Sequence, residues 1–397
     1  MKHLLKFDTE QDYEIAYATG EIIRPHVAVI KGGEVKYVKA YEPTPEADIP
    51  LYIEALVDLT VKFSTNPTQY SLDNVTWVDL AAATATPTIA AGSRVYFRMS
   101  NATVSTGGSG MFTISGNCNI GGNIMSMAYG EDYIGKDIIP ADYQFTQMFT
   151  GSPIVDASKL ALPAPTLTNY CYASLFKSCT KLKNGPALPA TTLAAYCYNY
   201  MFMGCSALVN AADLLGVELK LLCYFQMFYG CSSLVDAPQI LATNIASDAT
   251  ECCRQMFYNC TKLKHAPKLY SMNLAKQCYY YMFQYCNSLE YGPALPATTL
   301  QQGCYQDMFY SCPKLKVAPV LPALTLVSAC YKEMFYGCSQ LSYVKAMFTT
   351  TPSTTYTSAW LGAVAASGVF VKNTAAKWTT TGENGVPSGW TIERADA

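Results

Sequence analysis

The sequence predicts an α/β repeat fold of short parallel strands and helices, preceded by a small β-sandwich and an N-terminal arm. Two observations predict it. The pattern Cys-Tyr-x-x-Met-Phe-x-x-Cys-x-x-Leu recurs, as in Cys197, Tyr198, Met201, Phe202, Cys205 and Leu208. Its phenylalanines, Phe149, Phe176, Phe202, Phe228, Phe257, Phe283, Phe309 and Phe335, are spaced 27, 26, 26, 29, 26, 26 and 26 residues apart. A fixed period of this length means one supersecondary unit stacked many times. A stacked array offers a long surface instead of a single catalytic pocket.

Within a unit, Leu193, Cys197, Met201 and Phe202 keep i, i+4, i+8 spacing, which predicts a helix. The segment ends at a small or turn residue (Ser178, Gly204, Gly230, Asn259, Ser311 or Gly337), a helix C-terminal signal. Cys-x-x-Leu and an extended piece follow. In 289–296 that piece holds Pro293 and Pro296, which permit only one short strand per unit. Strand, turn, helix and turn in 26 residues is leucine-rich-repeat solenoid arithmetic. Strands should stack as a parallel sheet on one face and helices should cover the other. Burying each Met, Phe or Leu is worth roughly 1.5–3 kcal/mol. Several units together can therefore offset the chain entropy that one alone cannot.

Fourteen of the 16 cysteines fall in two columns of seven, Cys171 to Cys330 and Cys179 to Cys338. Partners within a unit are eight residues apart. On a helix that is about 12 Å, beyond the reach of a disulfide. Bridges between neighbouring units stay open as an alternative, but a column of seven always leaves one over. The simpler reading is a rung of buried, reduced thiols packing as small apolar groups. Zinc sites prefer closer cysteine pairs than Cys-x7-Cys, so no metal and no cofactor is expected. Cys253 takes the column otherwise held by tyrosine. His265 lies in a different part of the unit from Cys260, so no Cys–His nucleophile pair forms.

The flanks divide the rest. Residues 1–45 read as an attachment arm: a short helix within 7–18, then a hairpin of 25–30 and 34–38 around Gly32 and Gly33. Residues 46–118 read as a small β-sandwich, with short alternating strands at 51–56, 59–63, 75–80 and 94–99. Residues 119–144 read as an N-terminal cap, 145–345 as about eight units, and 346–397 as a C-terminal cap. Trp360, Trp378 and Trp390 lie in that last piece, and an aromatic sugar platform is the alternative to a cap.

Charged residues are only 14% and the net charge is -2, which supplies no field for nucleic acid or an anionic membrane. No run of 18 uncharged apolar residues suggests a membrane span. The start is acidic within a few residues and reads as no secretion signal. No nucleophile elbow, phosphate loop or paired-carboxylate site stands out, so no enzyme is expected.

Met-Phe-x-x-Cys-x-x-Leu followed by Pro-x-Leu-Pro-Ala-Thr-Thr-Leu resembles the BspA-type (treponemal-type) leucine-rich repeats over about residues 140–345. This chain departs from that family by a longer unit and by Met in place of Ala. The segments 112–125, 348–352 and 387–390 resemble proteins of gut Bacteroidales and their phages. The resemblance implies a phage virion structural or fibre protein, held to other virion proteins by residues 1–45, with the repeats facing a host protein or glycan. The alternative it implies is a bacterial cell-surface adhesin. A homo-oligomer stays open, since no heptad pattern declares one. Within the unit, the position five residues after the second cysteine varies: Asn184, Asn210, Asp236, His265, Tyr291, Val317 and Tyr343. Strand alternation points this column to solvent, which makes it the candidate binding column; drift at exposed positions is the alternative.

Overall fold

The computed structural model describes residues 26–31, 34–39, 46–64, 68–99 and 111–395. The helix expected within 7–18 lies outside them. β1 (His26–Lys31) and β2 (Glu34–Lys39) pair antiparallel, His26 opposite Lys39 and Lys31 opposite Glu34, as the hairpin reading requires.

The next strands are β3 (Tyr52–Ala55), β4 (Val61–Phe63), β5 (Thr68–Ser71), β6 (Val78–Leu80), β7 (Arg94–Met99), β8 (Phe112–Ile114), β9 (Cys118–Asn123) and β10 (Ile154–Ala161). They form a six-stranded sheet in the order β10-β9-β3-β7-β5-β6 and a two-stranded sheet of β4 and β8. Alternation sets the buried faces: in β7, Val95, Phe97 and Met99 are buried while Arg94, Tyr96 and Arg98 are half-buried. The large sheet does not stop where the repeats begin. Antiparallel pairs hold β3 between β7 and β9, and β9 then pairs parallel with β10. Phe112 stacks on Phe149 at 5.2 Å, so the core of the N-terminal sheets and the repeat core are continuous.

The helices expected within the repeats are not formed. The helices among the described residues are single turns at Ser126–Tyr129 and Thr354–Thr357 and a 3-10 turn at Gly130–Tyr133. Each unit instead carries a train of β-turns. In one unit Tyr170, Ser174 and Ser178 have φ of 56°, 55° and 60°, a left-handed residue every fourth position. Alternate N–H groups then point in different directions. Ala173, Leu175, Lys177 and Cys179 donate three residues back, to Tyr170, Tyr172, Ser174 and Phe176, at 3.0–3.2 Å. Tyr172, Ser174, Phe176 and Ser178 donate to the next unit, to Cys197, Asn199, Met201 and Met203, at 2.7–3.0 Å. Buried and less buried residues alternate in pairs, as in the unit with Cys223-Tyr224 buried, Phe225-Gln226 half-buried, Met227-Phe228 buried and Tyr229-Gly230 half-buried. That four-residue period copies the i, i+4 spacing of a helix. The turn residues read as helix ends, Ser178 and Gly204 among them, are the left-handed positions of the last turn.

The core is a set of straight columns. Phe149, Phe176, Phe202, Phe228, Phe257, Phe283, Phe309 and Phe335 stack face to face, 5.4–5.7 Å between successive centroids. The 29-residue interval does not break the stack: Phe228 and Phe257 lie 5.4 Å apart with an interplanar angle of 1°. Its extra residues fall between Ile245 and Cys252, where Ser247 and Asp248 are exposed. All 16 cysteines are free and buried. The second column does more than fill space. Each thiol donates to the phenylalanine carbonyl of the preceding unit, as Cys205 does to Phe176 at 3.0 Å and Cys312 to Phe283 at 3.1 Å. Each of those carbonyls also accepts the N–H three residues on, so the thiol supplies its second hydrogen bond.

Beyond the second cysteine, neighbouring units meet mostly through single-residue parallel bridges. Longer pairing appears at β11 (Glu218–Leu219) with β12 (Asn244–Ile245). At the C-terminal end, β13 (Tyr343–Ala346), β14 (Val369–Asn373) and β15 (Thr391–Ala395) form a parallel sheet. Trp360, Trp378 and Trp390 are buried there, with their indole N–H groups donating to Gly385, Phe348 and Ala365 carbonyls. Buried rings with satisfied N–H groups offer no open face for the sugar platform weighed from the sequence.

Candidate functional site

The candidate column is a line of backbone bridges. Asp156 pairs with Asn184 and Asn184 with Asn210; Asp236 pairs with His265, and the line continues through Tyr291 and Val317 to Tyr343. Tyr343 opens β13 and extends the line to Val369 and Thr391. Among the described bridges none joins Asn210 to Asp236; pairing there shifts to Leu214 and Ile240. Each of the seven residues is thus bridged to at least one other of the seven, and Asn210 and Asp236 end separate segments.

The side chains differ along the line. Asn184 donates to Asp156, and Asn210 Nδ2 donates to Asn184 Oδ1 at 2.7 Å. His265 Nδ1 lies 2.5 Å from Asp236 Oδ1. These five residues are half-buried and satisfy one another as a polar ladder. Tyr291 and Val317 are the exposed members, and Tyr343 is half-buried. The N-terminal half of the column is therefore a hydrogen-bonded strip and the C-terminal half an apolar one. A second polar ladder runs beside it: Asn244 donates to Glu218 at 2.6 Å and Asn273 to Asn244 at 3.4 Å.

The pattern of the sequence did not single out the exposed apolar columns on this face. Val209 and Val235 sit one residue before the candidate column, Leu215 and Leu241 five residues after it, and Val217, Met272 and Leu324 seven after; all are exposed. The signal that could have found them is a hydrophobic residue recurring at outward positions flanked by prolines and small residues. Val209 with Val235 and Leu215 with Leu241 each keep register over two adjacent units, which makes this patch the part of the face most suited to contact.

The turn-bearing face is aromatic and carries a buried carboxyl. Tyr143, Tyr170 and Tyr196 stack at 4.4 and 4.2 Å. Their faces are used against one another, which leaves edges and hydroxyls outward. The Arg254 guanidinium lies 5.0 Å from the Tyr280 ring and 5.7 Å from Phe225, and bonds Glu251 at 2.9 Å. Further along, Asp307 is only 3% exposed. Burial pushes its carboxyl up to about 7, and the negative charge of Glu333 in the next unit adds to the shift; Gln306 and Lys332 oppose it.

Burial also pushes the thiols up, Cys179 and Cys338 to about 12. A neutral, buried thiol is neither a nucleophile nor a metal ligand. Among the described residues no group of three or more His, Cys, Asp or Glu side chains is arranged to hold a metal ion. No described helix is long and apolar enough to cross a membrane. No family model, no curated protein and no solved structure matches the chain.

Proposed function

We propose that the array is a leucine-rich-repeat solenoid of the BspA type in which turn trains replace helices, and that it works as a recognition scaffold. Its ligand face is the bridge-bearing side. The observation that carries this reading is the contrast between columns. The Phe and Cys rungs are invariant from unit to unit and buried, while the column Asn184 to Tyr343 and its exposed apolar neighbours change at nearly every step. A constant core with a changing, partly apolar surface suits a protein partner or a host-surface glycan, because specificity needs different side chains at fixed spacing. In this reading the chain is non-enzymatic. Residues 1–45 attach it to other proteins of a phage particle, and the array faces outward.

The test is a variant carrying Tyr291→Ala and Val317→Ser, the two exposed members of the column. It should lose attachment to host cells or to purified surface material while its circular dichroism and melting match the parent. Unchanged attachment rejects the column as the ligand face. Detection of the chain in purified particles tests the virion assignment separately.

A cell-surface adhesin is the second reading, and one observation favours it. All 16 thiols are buried, so an oxidising exterior would not attack them. Recovery of the chain in the cell-surface fraction, and not in particles, selects this reading.

A further inference from the structure

Three units carry Lys-Leu-Lys after the second cysteine, at 181–183, 262–264 and 314–316. The leucines are fully buried. Strand alternation therefore turns both lysines of each unit outward, and all six are exposed. This positive charge is local, since the whole chain stands at -2. In the third of these units Glu290 lies 3.6 Å from Lys316 and answers its charge. In the first two, no described ion pair engages Lys181, Lys183, Lys262 or Lys264; Lys181 donates to the neutral amide of Asn117 at 2.6 Å. The carboxylates of the neighbouring column are already engaged, Asp156 by Asn184 and Asp236 by His265.

Between these two units the position of Lys183 and Lys264 is held by Val209 and Val235, 45% and 37% exposed. Lys183, Val209, Val235 and Lys264 thus form one line across four successive units. Backbone bonds tie each half of it: Val209 N–H donates to Lys183 at 3.0 Å, and Lys264 N–H donates to Val235 at 2.9 Å. Two exposed apolar side chains between cations have the make-up of an interface centre with a charged rim. The spacing fits an extended chain. Hydrogen-bonded neighbours lie ~4.8 Å apart, so three unit steps separate Lys183 from Lys264 by about 14 Å. An extended peptide rises ~3.4 Å per residue and turns every second side chain to one face, so four residues cover that span.

We propose that this strip takes an acidic segment of a partner protein, lying extended along the array. Carboxylates four residues apart meet Lys183 and Lys264, and an apolar side chain midway between them packs on Val209 and Val235. Lys181 and Lys262 supply a second cationic rank. The inference rests on the bridge-bearing side being the ligand face, and names what that face takes. The valines decide between polymers. A uronic or sulfated polysaccharide answers the lysines and leaves both valines against sugar hydroxyls, whereas a peptide answers both. The cations agree with carboxylates: lysine is a compact point charge that needs no bidentate partner.

The test pans a random peptide display library against the full chain. Two variants run in parallel, Lys183→Glu with Lys264→Glu and Val209→Ser with Val235→Ser, each with circular dichroism matching the parent. The parent should enrich peptides with two acids four residues apart and an apolar residue midway. In anisotropy titrations a labelled peptide of that consensus should bind the parent, bind the serine variant several-fold more weakly, and lose binding to the charge-reversal variant. Its affinity should fall as salt rises. No enrichment, a consensus without the paired acids, or a consensus that the charge-reversal variant also selects overturns the proposal. Dextran sulfate that binds parent and serine variant equally, where no peptide is selected, also overturns it and assigns the strip to an anionic polysaccharide. Attachment of the Tyr291→Ala, Val317→Ser variant reads the ligand face itself. Its loss beside a failed peptide selection refutes the acidic segment alone.

Discussion

Replacing Asp307 by Asn removes an ionisable group from the interior of the turn face while keeping its shape. The parent carboxyl has a folded pKa of about 7 against 3.8 for an unperturbed aspartate. The folded state therefore holds this proton more tightly than the unfolded chain. Below pH ~4 both states are protonated and the site contributes no penalty. Between pH ~4 and ~7 the unfolded chain ionises first, so stability falls as pH rises. Above the folded pKa the loss is complete. At ~1.4 kcal/mol per pKa unit, a shift of about three units sets its ceiling near 4 kcal/mol. Glu333 shares the titration, so the pair and not one residue governs the midpoint. Urea denaturation of parent and Asp307→Asn across pH 4–9 reads the effect. The variant should equal the parent near pH 4 and exceed it by up to about 4 kcal/mol at pH 8. Asn also tolerates the left-handed backbone at this position, where φ is 53°, but that gain does not depend on pH. Parallel stability curves for the two proteins would refute the buried-carboxylate reasoning.

Phe257 is fully buried between Phe228 and Phe283. Phe257→Ala should cost about 3–5 kcal/mol in equilibrium denaturation, and a loss under 1 kcal/mol would mean the stack collapses around the gap. Cys205→Ala removes the thiol that donates to Phe176 and should cost about 1 kcal/mol, whereas Cys205→Ser keeps a donor and should cost less; the same melts report both. Gly204 has φ of +75° in the last turn of its unit, so Gly204→Ala should lose about 1–2 kcal/mol, and no change in midpoint would contradict the turn-train backbone. Native protein at pH 8 should react with a thiol reagent at none of its 16 cysteines and, after unfolding in guanidinium, at all of them. Rapid native labelling would place the rungs at the surface.

Much of the architecture was legible because repetition makes packing visible in one dimension. The phenylalanine spacing gives the stack, and the two cysteine columns give the buried rungs. The strand runs around 51–63 and 94–99 fall where β3, β4 and β7 form. The candidate column could be found as the position that varies, since its neighbours do not. Its internal bonds could not. Whether Asn184 meets Asp156, or His265 meets Asp236, depends on which residues the stack sets side by side. The buried state of Asp307 and the exposed apolar columns were hidden for the same reason.

The sequence by itself determined the period, the composition of the core rungs and the number of units. The tertiary structure decided what each unit is made of. An apolar residue at i, i+4 and i+8 suits a helix and a turn train equally, because both bring every fourth side chain to one side. The choice rests on where alternate N–H groups find their acceptors. In this chain the acceptor is a carbonyl 25 residues further on, as Tyr172 finds at Cys197, and only the stacked neighbour supplies it.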